Sequence, residues 1–200
     1  ATIDHGLRPT SQAEAKALKQ LCQDWQIPHF ILTWHNQLGS KNLEARAREA
    51  RYQLLAAQAK KLNCQLLLTA HHGDDQLETF LIRLIRGSGL DGLTAIREEH
   101  DLTDQLLLKR PLLAFRKAEL IAYVKAKKLA WFDDESNLQE VFLRNRLRQF
   151  MADEIGDKVS HLRLLRTLKH LRRAQSYIGL ESARSNKQLV QLEIGQAGIK

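Results

Sequence analysis

Two periodicities of apolar residues divide the first part of the chain into predicted strands and helices. Apolar runs of strand length occur at 1–4, 29–35, 65–70 and 105–113. Apolar residues at helical spacing occur between those runs, at 11–26, 42–63 and 74–86. This order predicts an α/β fold in which a parallel sheet is flanked by helices, with Rossmann-like crossovers.

After Arg116 the strand pattern stops, and the rest of the chain is predicted to be a helical C-terminal part. Helices are expected over 116–129, through the segment VFLRNRLRQFM and over 157–184. The tail from Ser185 is polar and only weakly patterned. We therefore predict an α/β domain, a helical extension that completes it and a basic helical region, over 1–115, 116–155 and 156–200 respectively.

The net charge of +8 is concentrated in the last third of the chain. Residues 141–200 contain twelve Lys and Arg against five Asp and Glu, a balance of +7, whereas residues 1–140 contain nineteen against eighteen, a balance of +1. Such a basic region favours a polyanionic partner, nucleic acid above all. The alternative is a solvated basic helix without a partner.

The composition is that of a globular protein and not of a membrane-spanning one. Apolar residues make up 44% of the chain, which is enough for a buried core, and no run of about eighteen apolar residues predicts a membrane span. The first residues show no secretory signal, so we expect a cytoplasmic protein without a membrane partner. Cys22 and Cys64 are far apart and suit reduced thiols, and no CxxC pair predicts a cysteine-held zinc or iron–sulfur site.

The stretch TAHHGDDQLETF carries the strongest candidate chemistry, at the point where a predicted strand ends and a helix begins. Ligands bind at that edge in open α/β sheets. Asp74 is expected to cap the helix, and Asp75 to share one helix face with Glu78. Paired carboxylates suit an ammonium group or a metal ion, while the helix N-terminus favours phosphate. A His-and-Asp metallohydrolase site therefore stays open as an alternative.

Three further motifs each have a functional and a structural interpretation. In IDHGLR, Asp4 can hold a ribose or Mg²⁺ and Arg8 can hold a phosphate, or the segment is a plain turn. In RGSGLDGL, Gly87 and Gly89 can form a backbone donor loop, or they only close the preceding helix. In RNRLR, Arg144 and Arg148 can bind phosphates, with Asn145 beside them, or the arginines can form surface salt bridges.

Taken together, five separated motifs resemble those of the bacterial tRNA(Ile)-lysidine synthases. They are IDHGLRPTS, NLEARAREARY, AHHGDDQLETFLIRLIRGSGLDGL, KRPLL and WFDDESNLQEVFLRNRLR, and they cover residues 1 to about 150. The resemblance implies an N-type ATP pyrophosphatase fold of the adenine nucleotide alpha hydrolase type. It also implies an ATP- and Mg²⁺-dependent ligase that adenylates the wobble cytidine of tRNA(Ile) with a CAU anticodon, after which L-lysine displaces AMP to give lysidine.

The same resemblance assigns expected roles to individual residues. The expected catalytic residues are His71, Asp74, Asp75 and Glu78. Cofactor binding falls to Asp4, His5, Gly6, Arg8, His72, Gly87 and Gly89. Contacts with tRNA fall to Arg110, Arg144, Asn145 and Arg148. A homodimer is one expectation for the oligomeric state, and no residue is assigned as a metal ligand.

One part of the family pattern has no counterpart in these 200 residues. The SGGxDS loop, which supplies backbone donors for pyrophosphate, would precede Ala1. If the 200 residues are the whole molecule, we expect ATP chemistry to be absent or very weak. The alternative functions are tRNA 2-thiolation on the same fold, a metal-dependent phosphoesterase and an inactive RNA-binding fragment.

Overall fold

The computed structural model describes residues 1–4, 11–34, 43–129, 131, 147, 150–151 and 158–197. The strands within those ranges are β1 (Thr2–Asp4), β2 (Ile31–Thr33), β3 (Leu66–Leu68), β4 (Glu99–Thr103) and β5 (Leu106–Lys109). The helices are α1 (Ser11–Asp24), α2 (Leu43–Lys61), α3 (Gly73–Ile85), α4 (Leu90–Leu93), α5 (Lys117–Ala126) and α6 (Lys158–Ala197). No helix of this part of the chain is long and apolar enough to cross a membrane.

The strands pair as an α/β fold requires, in two sheets over the described residues. β1 pairs with β2 in parallel, with Ile3 opposite Leu32. β3 pairs with β5 in parallel, with Leu67 opposite Leu108, and β4 adds to the far edge of β5 in an antiparallel sense. The predicted α/β class with parallel strands, flanking helices and a helical C-terminal part is therefore confirmed.

The structure differs from the sequence prediction in one strand that was not expected and in one helix end. β4 was not expected, because its sequence EHDLT carries polar or charged residues at its exposed positions and has no apolar run. As an edge strand it needs an apolar contribution only from alternate residues. The C-terminal helix was expected to end near residue 184, but α6 continues to Ala197. A polar helix can continue without burying a face, so a weak apolar pattern does not mark its end.

The chain divides into two compact units, and both are discontinuous in sequence. The first comprises residues 1–70, 98–111 and 121–137 and contains both sheets with α1 and α2; the second comprises residues 71–97, 112–120 and 138–200 and contains α3, α4 and α6. The predicted boundaries near residues 115 and 155 stay a prediction.

The core of the second unit forms where α3, α4 and α6 pack together. Leu77 on α3 is fully buried and Leu168 on α6 is 1% exposed, and both belong to one cluster with Phe80, Ala95 and Met151. Apolar residues of α6 that are partly buried, Leu164, Leu165 and Leu171, pack against the same cluster. This packing fixes α3, and with it the polar residues of its first turn.

Candidate active site at the start of helix α3

The motif AHHGDDQLET forms the N-terminus of α3, one residue earlier than the sequence predicts. The helix begins at Gly73 with His72 as its N-cap, in an extended conformation with φ −120° and ψ 179°. The backbone N–H of His72 donates to Asp75 Oδ2 at 2.9 Å. The prediction that Asp74 caps this helix is therefore wrong, since the cap interaction uses the carboxylate one position later.

The carboxylate of Asp74 instead caps a different helix. Asp74 Oδ2 accepts a hydrogen bond of 2.6 Å from the backbone N–H of Lys117, the first residue of α5. The backbone N–H of Arg116 donates to Glu119 Oε2 at 2.8 Å, so two carboxylates satisfy the N-terminus of α5. Asp74 thus has a structural partner, whereas the catalytic role expected of it stays a prediction.

The acidic first turn also surrounds the His72 ring. His72 Nδ1 lies 3.6 Å from Asp74 Oδ2 and 3.5 Å from Asp75 Oδ2. The side chains of Asp74 and Asp75 keep 25% and 28% of their surface exposed, and His72 keeps 19%. A small polar ligand can therefore reach these groups.

One turn further along α3, the side chains are buried. Gln76 makes a paired interaction with the backbone of Ile96: its Nε2 donates to Ile96 O, and its Oε1 accepts from Ile96 N, both at 2.8 Å. Glu78 is 7% exposed and has interaction partners. Asp75 and Glu78 are three residues apart and so share a helix face, as the sequence predicts, with one carboxylate accessible and the other buried.

A buried histidine, not foreseen from the sequence, contacts the first residue of α3. His161 on α6 is 2% exposed, and its Nε2 has no hydrogen-bond partner among the described residues. A Cβ at Gly73 would lie 3.1 Å from that Nε2, 3.0 Å from Phe115 O and 3.4 Å from Leu113 O. Gly73 also donates its backbone N–H to Phe115 O at 2.7 Å. The spacing of His161 with Leu164, Leu165 and Leu168 on one helix face was the available signal.

The environment of His161 favours its neutral form. Burial lowers the pKa of His161, and the positive charge of Arg116 lowers it further. The carboxylates of Asp74 and Glu119 oppose that shift but do not reverse it. A neutral imidazole therefore sits against the N-terminus of α3.

The glycines after α3 form the helix-closing structure that was one of their two predicted interpretations. Gly87 has φ +69°, its N–H donates to Leu84 O at 3.0 Å, and the N–H of Ser88 donates to Arg83 O at 3.0 Å. These are the two hydrogen bonds of a Schellman motif, which requires the left-handed conformation that glycine adopts at no steric cost. Gly89 is the N-cap of α4. Their expected contact with nucleotide stays a prediction.

The predicted residues of the first unit are placed only in part. Asp4 ends β1, is 7% exposed and accepts a hydrogen bond of 2.8 Å from Ser11 Oγ. Predicted cofactor and tRNA residues that lie outside the described ranges are His5, Gly6, Arg8, Arg144, Asn145 and Arg148.

Arg110 follows β5 and is 5% exposed. Its guanidinium donates to Tyr52 Oη at 3.3 Å, and its Nη1 lies 3.4 Å from His100 Nδ1. These partners hold the side chain within the fold. The predicted contact of Arg110 with tRNA stays a prediction.

No group of three or more His, Cys, Asp and Glu side chains is arranged to hold a metal ion in the part of the chain that the structure describes. Mg²⁺ commonly takes only one or two carboxylates from a protein and the rest of its ligands from phosphates and water. The described residues therefore form no protein cage for a metal ion.

The sequence matches a family model over most of its length. The model describes a PP-loop domain, and it matches residues 1–155. The chain belongs to the PP-loop domain family. Solved structures agree on the fold: the chain is similar to a U34-tRNA thiolase, NcsA from Methanococcus maripaludis with its [4Fe-4S] cluster, with a TM-score of 0.61. The identity is 15%, and the match covers 84% of this chain and 60% of that one.

Curated relatives are more similar in sequence. A tRNA(Ile)-lysidine synthase of Rhodopseudomonas palustris is 40% identical over 194 residues, which is 97% of this chain and 56% of that protein. A tRNA(Ile)-lysidine synthase of Bradyrhizobium diazoefficiens is 44% identical over 166 residues, which is 82% of this chain and 46% of that protein. The chain thus spans about half the length of the curated relatives it matches.

Proposed function

We propose that this chain carries the active site of a tRNA(Ile)-lysidine synthase. In that reaction ATP adenylates the wobble cytidine of tRNA(Ile) with a CAU anticodon, and the amino group of L-lysine then displaces AMP. The observation that carries the proposal is the AHHGDDQLET helix start, found in a chain that is 40% identical, over 97% of its length, to a relative of that name.

The two carboxylates at the start of α3 suit the lysine step. Asp75 is accessible and is held in place by the backbone of His72, while Glu78 lies one turn deeper on the same face. An ammonium group is attracted to such a pair, and an amine must lose a proton before it can attack. We assign Asp75 and Glu78 to the binding of the lysine amine and the removal of its proton.

The imidazoles and the helix N-terminus suit the phosphate. His71 and His72 directly precede Gly73, the first residue of α3. The N-terminus of a helix stabilises negative charge. We assign these two histidines to contacts with the α-phosphate and AMP, where imidazole can donate to developing negative charge. Asp4, Gly87 and Gly89 stay proposed contacts for the nucleotide, and Mg²⁺ is proposed to enter with ATP.

The tRNA contacts, the location in the cell and the oligomeric state are also proposals. Arg110, Arg144, Asn145 and Arg148 are proposed to contact tRNA. A cytoplasmic location follows from the proposed reaction because its substrates are cytoplasmic, and a homodimer is proposed as one assembly. ATP chemistry in this chain is proposed to depend on an SGGxDS loop, which these 200 residues do not contain.

Thiolation on the same fold is the second candidate, and the likeness to a thiolase structure favours it. The iron–sulfur cluster named with that structure is of a type held by several cysteine thiolates. This chain contains two cysteines in all, Cys22 and Cys64, and neither is part of a CxxC pair. The cysteine content therefore favours lysidine formation over a cluster-dependent thiolation.

The test is product formation by the full-length protein with tRNA(Ile) bearing a CAU anticodon, ATP, Mg²⁺ and labelled lysine. We expect label to enter the tRNA, and tRNA-dependent exchange of pyrophosphate into ATP. Asp75→Asn and Glu78→Gln keep the side-chain shape but remove the charge, so each should lower lysine incorporation at least about 100-fold while tRNA binding persists. Asp101→Asn, on the exposed edge of β4, is the control and should not change incorporation.

Two results would contradict the proposal. Incorporation of sulfur from a sulfur donor, without lysine incorporation, would favour the thiolase. Unchanged lysine incorporation in both carboxylate variants would place the chemistry elsewhere.

A further inference from the structure

Over residues 161–173, helix α6 has two faces of opposite character, and one of them is packed against the rest of the unit. The inner face carries His161, Leu164, Leu165, Leu168 and Arg172, which are buried or half-buried. Four residues form what we call the outer stripe: Arg163, Arg166, His170 and Arg173, all of them exposed. At 3.6 residues per turn, the outer stripe occupies an arc of roughly 80° on the side opposite to Leu168.

The adjacent arginines at 172 and 173 show how sharply the faces differ. Arg172 points inward, where its Nη2 donates to Ile96 O at 2.7 Å and its Nε to Thr94 O at 3.2 Å. The side chain of Arg173 is exposed and makes no hydrogen bond or ion pair with the described residues. The same holds for the side chains of the other members of the outer stripe. Arg172 therefore stabilises the fold, whereas the outer stripe contributes charge that the fold does not use.

The charge of this region has almost no acidic counterpart. Residues 158–187 contain eight Lys and Arg against a single acidic residue, Glu181. The outer stripe extends from residue 163 to residue 173, a rise of about 15 Å along a helix. A nucleic-acid backbone presents several phosphates over that distance, and arginine is well suited to bind them.

We propose that the outer stripe of α6 binds the sugar–phosphate backbone of RNA without reading its sequence. This inference rests on the proposed function, because it says where the RNA substrate of that reaction is held. The stripe lies beyond residue 155, so the proposed binding surface is outside the part of the chain that the PP-loop domain model matches.

RNA fits this face better than an anionic membrane does. A helix that lies on a membrane uses an apolar face for insertion. Over residues 161–171 the apolar face of α6 is already packed against the core cluster that contains Leu77 and Phe80. Leu162 is the exposed apolar residue of this segment, and its other exposed side chains are basic or polar, which suits a surface of phosphates.

The test compares two variants of the full-length protein whose net charges are lowered equally. R163E/R166E/R173E alters the outer stripe. The control, K16E/K60E/K61E, alters exposed lysines of α1 and α2. The Kd for tRNA(Ile) with a CAU anticodon is measured between about 50 and 200 mM salt, where binding through phosphates is strongly salt-dependent. Far-UV circular dichroism and thermal unfolding check that both variants are folded.

We expect the stripe variant to bind at least about tenfold more weakly at the lower salt concentration. Its salt dependence should also flatten, because each lost phosphate contact lowers the slope of log K against log salt by about 0.7–0.9. The control should bind within about threefold of the wild type. R163Q/R166Q/R173Q, which removes charge without reversing it, should give an intermediate loss.

Equal loss in the stripe variant and the control would overturn the inference, since only net charge would then matter. Binding to phosphatidylserine vesicles without stripe-dependent binding to tRNA would also overturn it. The proposed function fails separately: wild-type protein that forms no lysidine, but binds tRNA through the stripe, would reject the reaction and keep this surface. Lysidine formation with tRNA binding that is indifferent to the stripe would do the reverse.

Discussion

Replacing Gly73 by alanine tests whether α3 is held by the close approach that the structure shows. The new Cβ would lie 3.0 Å from Phe115 O and 3.1 Å from His161 Nε2, with Leu113 O at 3.4 Å. Two of the three neighbours are backbone carbonyls, which cannot turn aside as a flexible side chain can. The third belongs to a ring that is 2% exposed. Some movement of α3 or α6 is therefore required.

The expected cost follows from two opposing effects. Inserting a methyl group into a filled space costs about 1–3 kcal/mol. Alanine regains up to about 1 kcal/mol of helix propensity, and less at the first helical residue. The net loss should be about 1–2 kcal/mol, which corresponds to a Tm that is lower by roughly 2–8 °C in a chain of this size.

The assay is urea and thermal unfolding of Gly73→Ala beside Gly179→Ala. Gly179 lies within α6, where a Cβ would meet nothing within 4 Å. The control substitution should therefore stabilise the protein, by up to about 1 kcal/mol. In combination with His161→Ala, the Gly73 substitution should cost less than it does alone, because one of its three contacts has been removed.

Equal effects of the two glycine substitutions would refute this reasoning. It would also be refuted if the cost at Gly73 did not depend on the residue at position 161.

Three further predictions concern the same unit. Because burial lowers the pKa of His161, this imidazole takes up a proton at a higher pH in the unfolded chain than in the folded one. The free energy of unfolding should therefore fall as the pH drops from about 7.5 to 5.5. Urea titrations of His161→Gln should show a weaker fall. Leu77→Ala should cost about 2–5 kcal/mol in urea unfolding, against less than about 1 kcal/mol for the half-exposed Leu84→Ala on the same helix. Asp74→Ala should cost about 0.5–2 kcal/mol in thermal unfolding through loss of the α5 cap on Lys117, and no loss would contradict the hydrogen bond seen there.

Local patterns in the sequence were sufficient to find most of the secondary structure. The predicted helices at 11–26, 42–63 and 74–86 are observed as Ser11–Asp24, Leu43–Lys61 and Gly73–Ile85. Their apolar spacing is a property of neighbouring residues, so no knowledge of the fold is needed to read it. The closing role of Gly87 could be predicted for the same reason, because the hydrogen bonds donated by Gly87 and Ser88 reach only three and five residues back along the chain.

Features that depend on distant residues could not be predicted in the same way. β4 exists because β5 offers it an edge, and its own sequence carries only a weak alternation. His161 is separated by almost ninety positions from the Gly73 that it contacts. In sequence it looks like one more polar residue of a basic helix, and only the packing of α6 on α3 shows that it is buried.

The two neighbouring aspartates of the motif show the same limit within the candidate site. Asp74 and Asp75 are identical in chemistry and adjacent in sequence, so a local pattern gives no reason to separate their roles. The structure separates them by their partners: Asp75 binds the backbone of His72, three residues away, and Asp74 binds the backbone of Lys117, forty-three residues away. If Asp74 serves only to cap α5, Asp74→Asn should preserve both the cap and most lysine incorporation, because an amide oxygen still accepts the Lys117 N–H. A loss of incorporation with the cap intact would instead support the catalytic role expected of Asp74. Asp75→Asn should preserve the helix start and lose the chemistry, because only the negative charge has been removed.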